Sequence, residues 1–110
     1  MAIISEIPKL IPLPQQLLLS EGSLFRLLCS ATAGDKPLFF QWTKNGIMLS
    51  NSPQTHYKIE TSDDLSLFSI KNVERSDSGN YSCVVRNAFG EDFKFSQLSV
   101  KGLIRIYLIK

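Results

Sequence analysis

Polar and apolar residues alternate along this chain with a period of two, in short runs separated by turn-forming residues. In "SLFRLLCSAT", residues 23–32, Phe25, Leu27, Cys29 and Ala31 fall on one side, and Arg26, Leu28 and Ser30 on the other. "LFFQWTK", 38–44, ends at Asn45-Gly46, a pair that tolerates positive φ and marks a tight hairpin. "HYKIE" and "LSLFSIKNV" flank the polar turn "TSDD", and "GNYSCVVRN" and "DFKFSQLSV" flank a second hairpin at Asn87-Ala88-Phe89-Gly90. The first apolar stretch, "LIPLPQQLLLSEG", reads as an edge strand broken at Pro12 and Pro14. Proline donates nothing to a ladder, so the break suits an edge that changes partner part way along. No window carries a 3.6-residue period, and there are no internal repeats. Short strands with turns at this spacing predict one all-β sandwich or barrel.

The two cysteines, Cys29 and Cys83, are 54 residues apart, and the chain has one histidine. That is no metal-ligand spacing, so a single long-range disulfide is the better reading, and it implies an oxidising, extracellular compartment. In "DSGNYSC" the residues Asp77, Gly79, Tyr81 and Cys83 alternate with Ser78, Asn80 and Ser82. If Cys83 faces the core, Tyr81 and Gly79 share its side, and Trp42 lies on the strand after Cys29. This Cys…Trp…Tyr-x-Cys order is what an immunoglobulin sandwich needs: a disulfide between sheets, an indole packed on it, and a tyrosine hydroxyl bonded back to the preceding turn. Asp77 belongs to that turn, where its carboxylate can accept hydrogen bonds. Closing a loop of 54 residues contributes about 4 kcal/mol in the chain-entropy account.

Cys29, "WTKNG" at 42–46, "FSIKNV" at 68–73, "SDSGNYSC" at 76–83 and "NAFG" at 87–90 resemble an I-set immunoglobulin domain, over residues 8–100. The fold implied is an all-β, two-sheet antiparallel sandwich with one inter-sheet disulfide. Residues 1–7 are then an N-terminal extension, and 101–110 a tail outside the domain. A finer resemblance lies in "AGDKPLFFQWTKNG", 33–46, which is similar to domains of Dscam adhesion molecules. Among these the chain looks most like the variable N-terminal domain of the shortened chelicerate form. What the resemblance implies is homophilic recognition between cell surfaces, by the ectodomain of a membrane-anchored protein. The partner expected is a second copy of the chain, held with modest affinity and multiplied by avidity.

Alternation predicts two faces on which a partner could sit. With Cys29 inward, Leu28, Leu65 and Leu67 gather on the outside of the sheet lettered A-B-E-D in this family. Arg26, His56, Lys58, Glu60 and Ser69 rim them, an apolar centre with a charged border. On the opposite sheet Phe39, Gln41, Thr43, Val84 and Arg86 point outward, as do Phe93 and Phe95 by counting back from Leu98 and Val100. A bulge in the last strand would reverse that count. The resemblance favours the first face, since it implies antiparallel pairing through A-B-E-D. A structural spacer in a multi-domain rod and a heterophilic receptor or immune-recognition module are the alternatives.

Charge narrows the partners. Residues 1–100 carry nine Lys/Arg against ten Asp/Glu; the basic excess lies in Lys101, Arg105 and Lys110, so the body offers no stripe for nucleic acid. With both cysteines in a disulfide, one histidine, no G-x-S-x-G and no phosphate-binding glycine loop, no enzyme, cofactor or small-molecule substrate is expected. Glu60, Asp63 and Asp64 lack the spacing of a calcium loop, so no metal is expected either. Asn80-Tyr81-Ser82 is a glycosylation sequon, with Asn80 outward. "MAIISEIPKL" has no basic n-region, and no segment reaches bilayer length, so a signal peptide and anchor are expected outside this chain. "GLIRIYLIK" is apolar and β-prone, an appendage of artificial origin that is expected to extend the last strand or pair with another chain.

Overall fold

The structure is a computed structural model and describes residues 4–102; the apolar part of the tail lies outside them. Nine strands form two sheets: β1 (Lys9–Leu10), β2 (Gln16–Ser20), β3 (Phe25–Ala33), β4 (Phe39–Lys44), β5 (Ile47–Leu49), β6 (Tyr57–Thr61), β7 (Leu65–Ile70), β8 (Gly79–Arg86) and β9 (Glu91–Lys101). One sheet runs β1-β3-β7-β6 and the other β2-β9-β8-β4-β5. A 3-10 turn, Arg75–Asp77, precedes β8.

The proline-broken first stretch divides as its sequence predicts. Lys9–Leu10 pairs antiparallel with β3, the chain crosses at Pro12–Pro14, and Gln16–Ser20 joins the other sheet beside β9. That second pairing is parallel, an exception to the all-antiparallel expectation: β2 reaches the far sheet without reversing and so runs alongside the last strand. The Asn45-Gly46 hairpin has φ of 50° and 81°, both left-handed, which explains the choice of residues. It adds β5 as a strand that alternation alone left unassigned.

Inward residues of both sheets meet in one core. Cys29 and Cys83 form the disulfide. Trp42 packs against Phe68, with ring centroids 5.5 Å apart, and Phe68 against Tyr81 at 5.3 Å. The indole Nε1 donates to Ser66 Oγ (2.8 Å), and Ser66 also bonds Thr61 Oγ1 (2.7 Å), so the buried indole is satisfied across the sandwich. Tyr81 donates to the Asp77 carbonyl (2.6 Å), the back-bond its position predicts. Burial, with Asp77 nearby, pushes the Tyr81 phenol well above its ordinary pKa. Residues ahead of β1 are tied to the sandwich: the Glu6 carbonyl accepts from Asp35 N and Asn87 Nδ2, and Pro8 is buried.

Candidate recognition faces

On the β1-β3-β7-β6 sheet, strand register brings the expected residues together. Leu28 stands directly opposite Leu67, and Leu67 opposite Glu60; Arg26, Ser69 and Lys58 form the neighbouring row, and Ser30 pairs with Leu65. Lys58 Nζ lies 2.7 Å from Glu60 Oε1. That pairing raises the lysine pKa and lowers that of the carboxyl, chiefly through the hydrogen bond and then the Coulomb attraction. The apolar centre is shallower than alternation suggested. Leu28 is exposed (43%), whereas Leu65 and Leu67 are half-buried.

His56 is exposed as expected, but it lies outside the strand and has a partner. It sits just before β6, and its Nε2 donates to Asp77 Oδ1 at 2.5 Å while the other carboxylate oxygen accepts from Glu74 N at 2.8 Å. The Asp77 carboxylate is nearly buried while the His56 side chain is half exposed, and His56 lines a groove with Lys58, Ser69 and Lys71. His56 therefore borders the face and also anchors the corner.

The second face carries more exposed apolar surface. Register aligns Gln41, Val84 and Phe93 in one row, Met48, Thr43, Ser82 and Phe95 in the next, and Phe39, Arg86 and Glu91 beyond. Phe39, Met48, Phe93 and Phe95 are all more than half exposed. No bulge interrupts β9 opposite β8, so the parity counted from Leu98 and Val100 holds. Val84, between its neighbours, is half-buried. Thr43 and Ser82 bond through their hydroxyls, and Arg86 bridges Glu91 (2.7 Å) and Gln41 (2.9 Å). Met48 was missed because its strand went unrecognised; the two-residue hairpin was the signal that could have found it.

Asn80 is exposed on this same face, opposite Gln97. Its backbone is held by Asn45, whose Oδ1 accepts from Asn80 N (2.8 Å) and whose own N donates to the Asn80 carbonyl (2.8 Å). Asn51, also unrecognised in the sequence, borders β6. Its side chain both donates to the Ile59 carbonyl (2.7 Å) and accepts from Ile59 N (2.9 Å), imitating a neighbouring strand.

A two-sheet sandwich with this disulfide, packed indole and tyrosine corner defines an immunoglobulin-type domain. The chain belongs to the immunoglobulin domain family, whose model matches residues 7–87. It is 36% identical over 98 residues to the tyrosine-protein kinase receptor TYRO3 of Rattus norvegicus, a match covering 86% of this chain and 11% of the receptor. It is 34% identical over 93 residues to the cell adhesion molecule Dscam2 of Drosophila melanogaster, covering 79% of this chain and 4% of that protein. The chain thus spans a small fraction of these relatives. Among solved structures, the Dscam1 Ig7 domain, isoform 5, superposes with a TM-score of 0.79 at 25% identity, over 86% of this chain and 97% of that one. Titin domains Z1Z2 in complex with telethonin superpose at 0.81 with 24% identity, over 92% of this chain and 50% of that one, a likeness of fold.

Proposed function

We propose that this domain is an extracellular recognition module of a Dscam-type adhesion protein, and that it binds a second copy of itself in trans through the outer face of β1-β3-β7-β6. The relationship to adhesion molecules supports the class. The observation that carries the face is the direct apposition of Leu28 and Leu67, bordered by the Arg26–Ser69–Lys58 row and the Lys58–Glu60 pair. Two copies stacked with strands antiparallel, about a two-fold axis level with Ile59, set Lys58 of each against Glu60 of the other. Leu28 and Leu67, in the same row as Glu60, then lie against the Arg26–Ser69 row of the other copy, next to the axis of an isologous interface.

Leu67→Asp should abolish self-association, measured by sedimentation and by aggregation of cells displaying the domain, and keep a cooperative unfolding transition. Unchanged aggregation by this folded variant would sink the proposed face. A domain that stays strictly monomeric at high concentration supports a spacer role instead. Aggregation between cells bearing non-identical forms supports heterophilic recognition.

A further inference from the structure

We propose that Asn80 carries an N-linked glycan whose core sugars lie on the outer face of β8 and β9, against Phe95 and in the groove beside Gln16 and Gln97. The inference rests on the extracellular reading above and assigns the opposite face of the sandwich.

Three observations converge on it. First, Asn80-Tyr81-Ser82 is a complete acceptor sequon, and Asn80 is exposed. Its side-chain amide makes no hydrogen bond among the described residues, whereas its backbone is fixed on both sides by Asn45. Second, register places an exposed aromatic ring within reach. Asn80 pairs with Gln97 and Ser82 with Phe95, so Phe95 is the diagonal neighbour of Asn80, about 7–8 Å away between Cα atoms. That is about the reach of the first sugar ring from the amide, and the C–H face of a pyranose packs well on an aromatic ring. Phe95 is 51% exposed and Phe93, two residues further along the strand, 59%. Third, the row that Asn80 itself belongs to continues across β9 and β2 as a polar, concave surface next to Phe95. Gln16 pairs with Gln97, and Leu18 with Ser99. Together with Leu17 these residues line a groove of about 620 Å³.

An aromatic platform next to two carboxamides, all on the β9 side of Asn80, is the chemistry that holds a carbohydrate. The ring covers the apolar face of the sugar, while the amides donate to and accept from its hydroxyl and N-acetyl groups. A glycan so placed covers part of the exposed apolar surface of its own face and leaves the β1-β3-β7-β6 face open.

The test uses the domain secreted from a eukaryotic cell. Intact mass should show a glycan increment that is removed by an amidase specific for N-glycans and is absent from Asn80→Gln. Removal should raise binding of an apolar fluorescent dye about twofold, as the covered aromatic area becomes accessible. NMR of the glycosylated domain should show nuclear Overhauser contacts between the first N-acetylglucosamine and the Phe95 ring, lost in Phe95→Ser. An unmodified Asn80 overturns the proposal, as does an occupied Asn80 whose sugar makes no contact with Phe95. A dimer formed through Phe93 and Phe95 in the glycosylated protein overturns it too. Leu67→Asp leaves every one of these readouts unchanged, so the two proposals fail separately.

Discussion

Trp42 illustrates how one side chain here serves both the apolar and the polar needs of the core. Its ring fills the space between the sheets beside Phe68, and its Nε1–H is satisfied only because Ser66, buried on the opposite sheet, presents a hydroxyl. Trp42→Ala should cost about 3–5 kcal/mol of unfolding free energy in denaturant titrations. Ser66→Ala should cost about 1–3 kcal/mol by leaving the indole donor unpaired. Tyr81 supplies a pH signature. Its phenol keeps its proton in the folded state well above the ordinary value of 10.0, while the unfolded chain loses that proton near pH 10. Above pH 10 the native state therefore holds more protons than the unfolded one, and stability falls as pH rises. Thermal melts between pH 8 and 11.5 should show this decline, and Tyr81→Phe should flatten it relative to the parent. The roles of Cys29, Trp42, Asp77, Tyr81 and Cys83 were legible in the sequence because strand parity and family spacing constrain them together. The hydrogen-bond partners that satisfy them were not. Neither the His56 ring at Asp77 nor the Ser66 hydroxyl at Trp42 follows from a pattern, since each depends on how two distant strands approach.

At the level of elements, turn chemistry and edge protection decide the architecture. Gly46 sits at φ 81° with nothing crowding its Cα, so Gly46→Ala should cost about 1 kcal/mol through backbone strain alone, read from the shift in denaturation midpoint. The clamp of Asn51 on Ile59 occupies a donor and an acceptor that the edge strand β6 would otherwise show to solvent. Asn51→Ala should expose that edge and speed aggregation in light-scattering assays at elevated temperature, with a modest loss of stability of about 1–2 kcal/mol. The strands and most of their boundaries were readable from alternation, and so was the change of sheet at Pro12 and Pro14. The parallel sense of β2 against β9 was not, because a proline marks a break in pairing and leaves the direction of the next strand open. The short β5 was lost for a related reason: three residues carry too little periodicity to register.

For the whole molecule, the disulfide ties the sheets together at their centre and closes the loop between β3 and β8. Reduction, or paired Cys29→Ala and Cys83→Ala changes, should lower stability by about 4 kcal/mol, measured against the oxidised domain in the same denaturant series. Which residues share each face was legible in the sequence; how much apolar surface each face leaves open was not. Leu65 and Leu67 lie between neighbouring strands, while Phe93 and Phe95 project from β9 with β2 alongside only farther along the strand.

The split first strand has a mechanical consequence. β2 lies near the start of the chain and β9 near its end, and they run parallel through five residue pairs, Gln16↔Gln97 to Ser20↔Lys101. Tension applied through the two ends pulls β2 back toward its N-terminal end and β9 forward toward its C-terminal end. The strands are dragged past each other along their length, so the rungs between them are loaded in shear and share the force, where an antiparallel pair pulled from one end would unzip rung by rung. Under tension applied through its two ends, the domain is thus braced at this seam along the direction of pull.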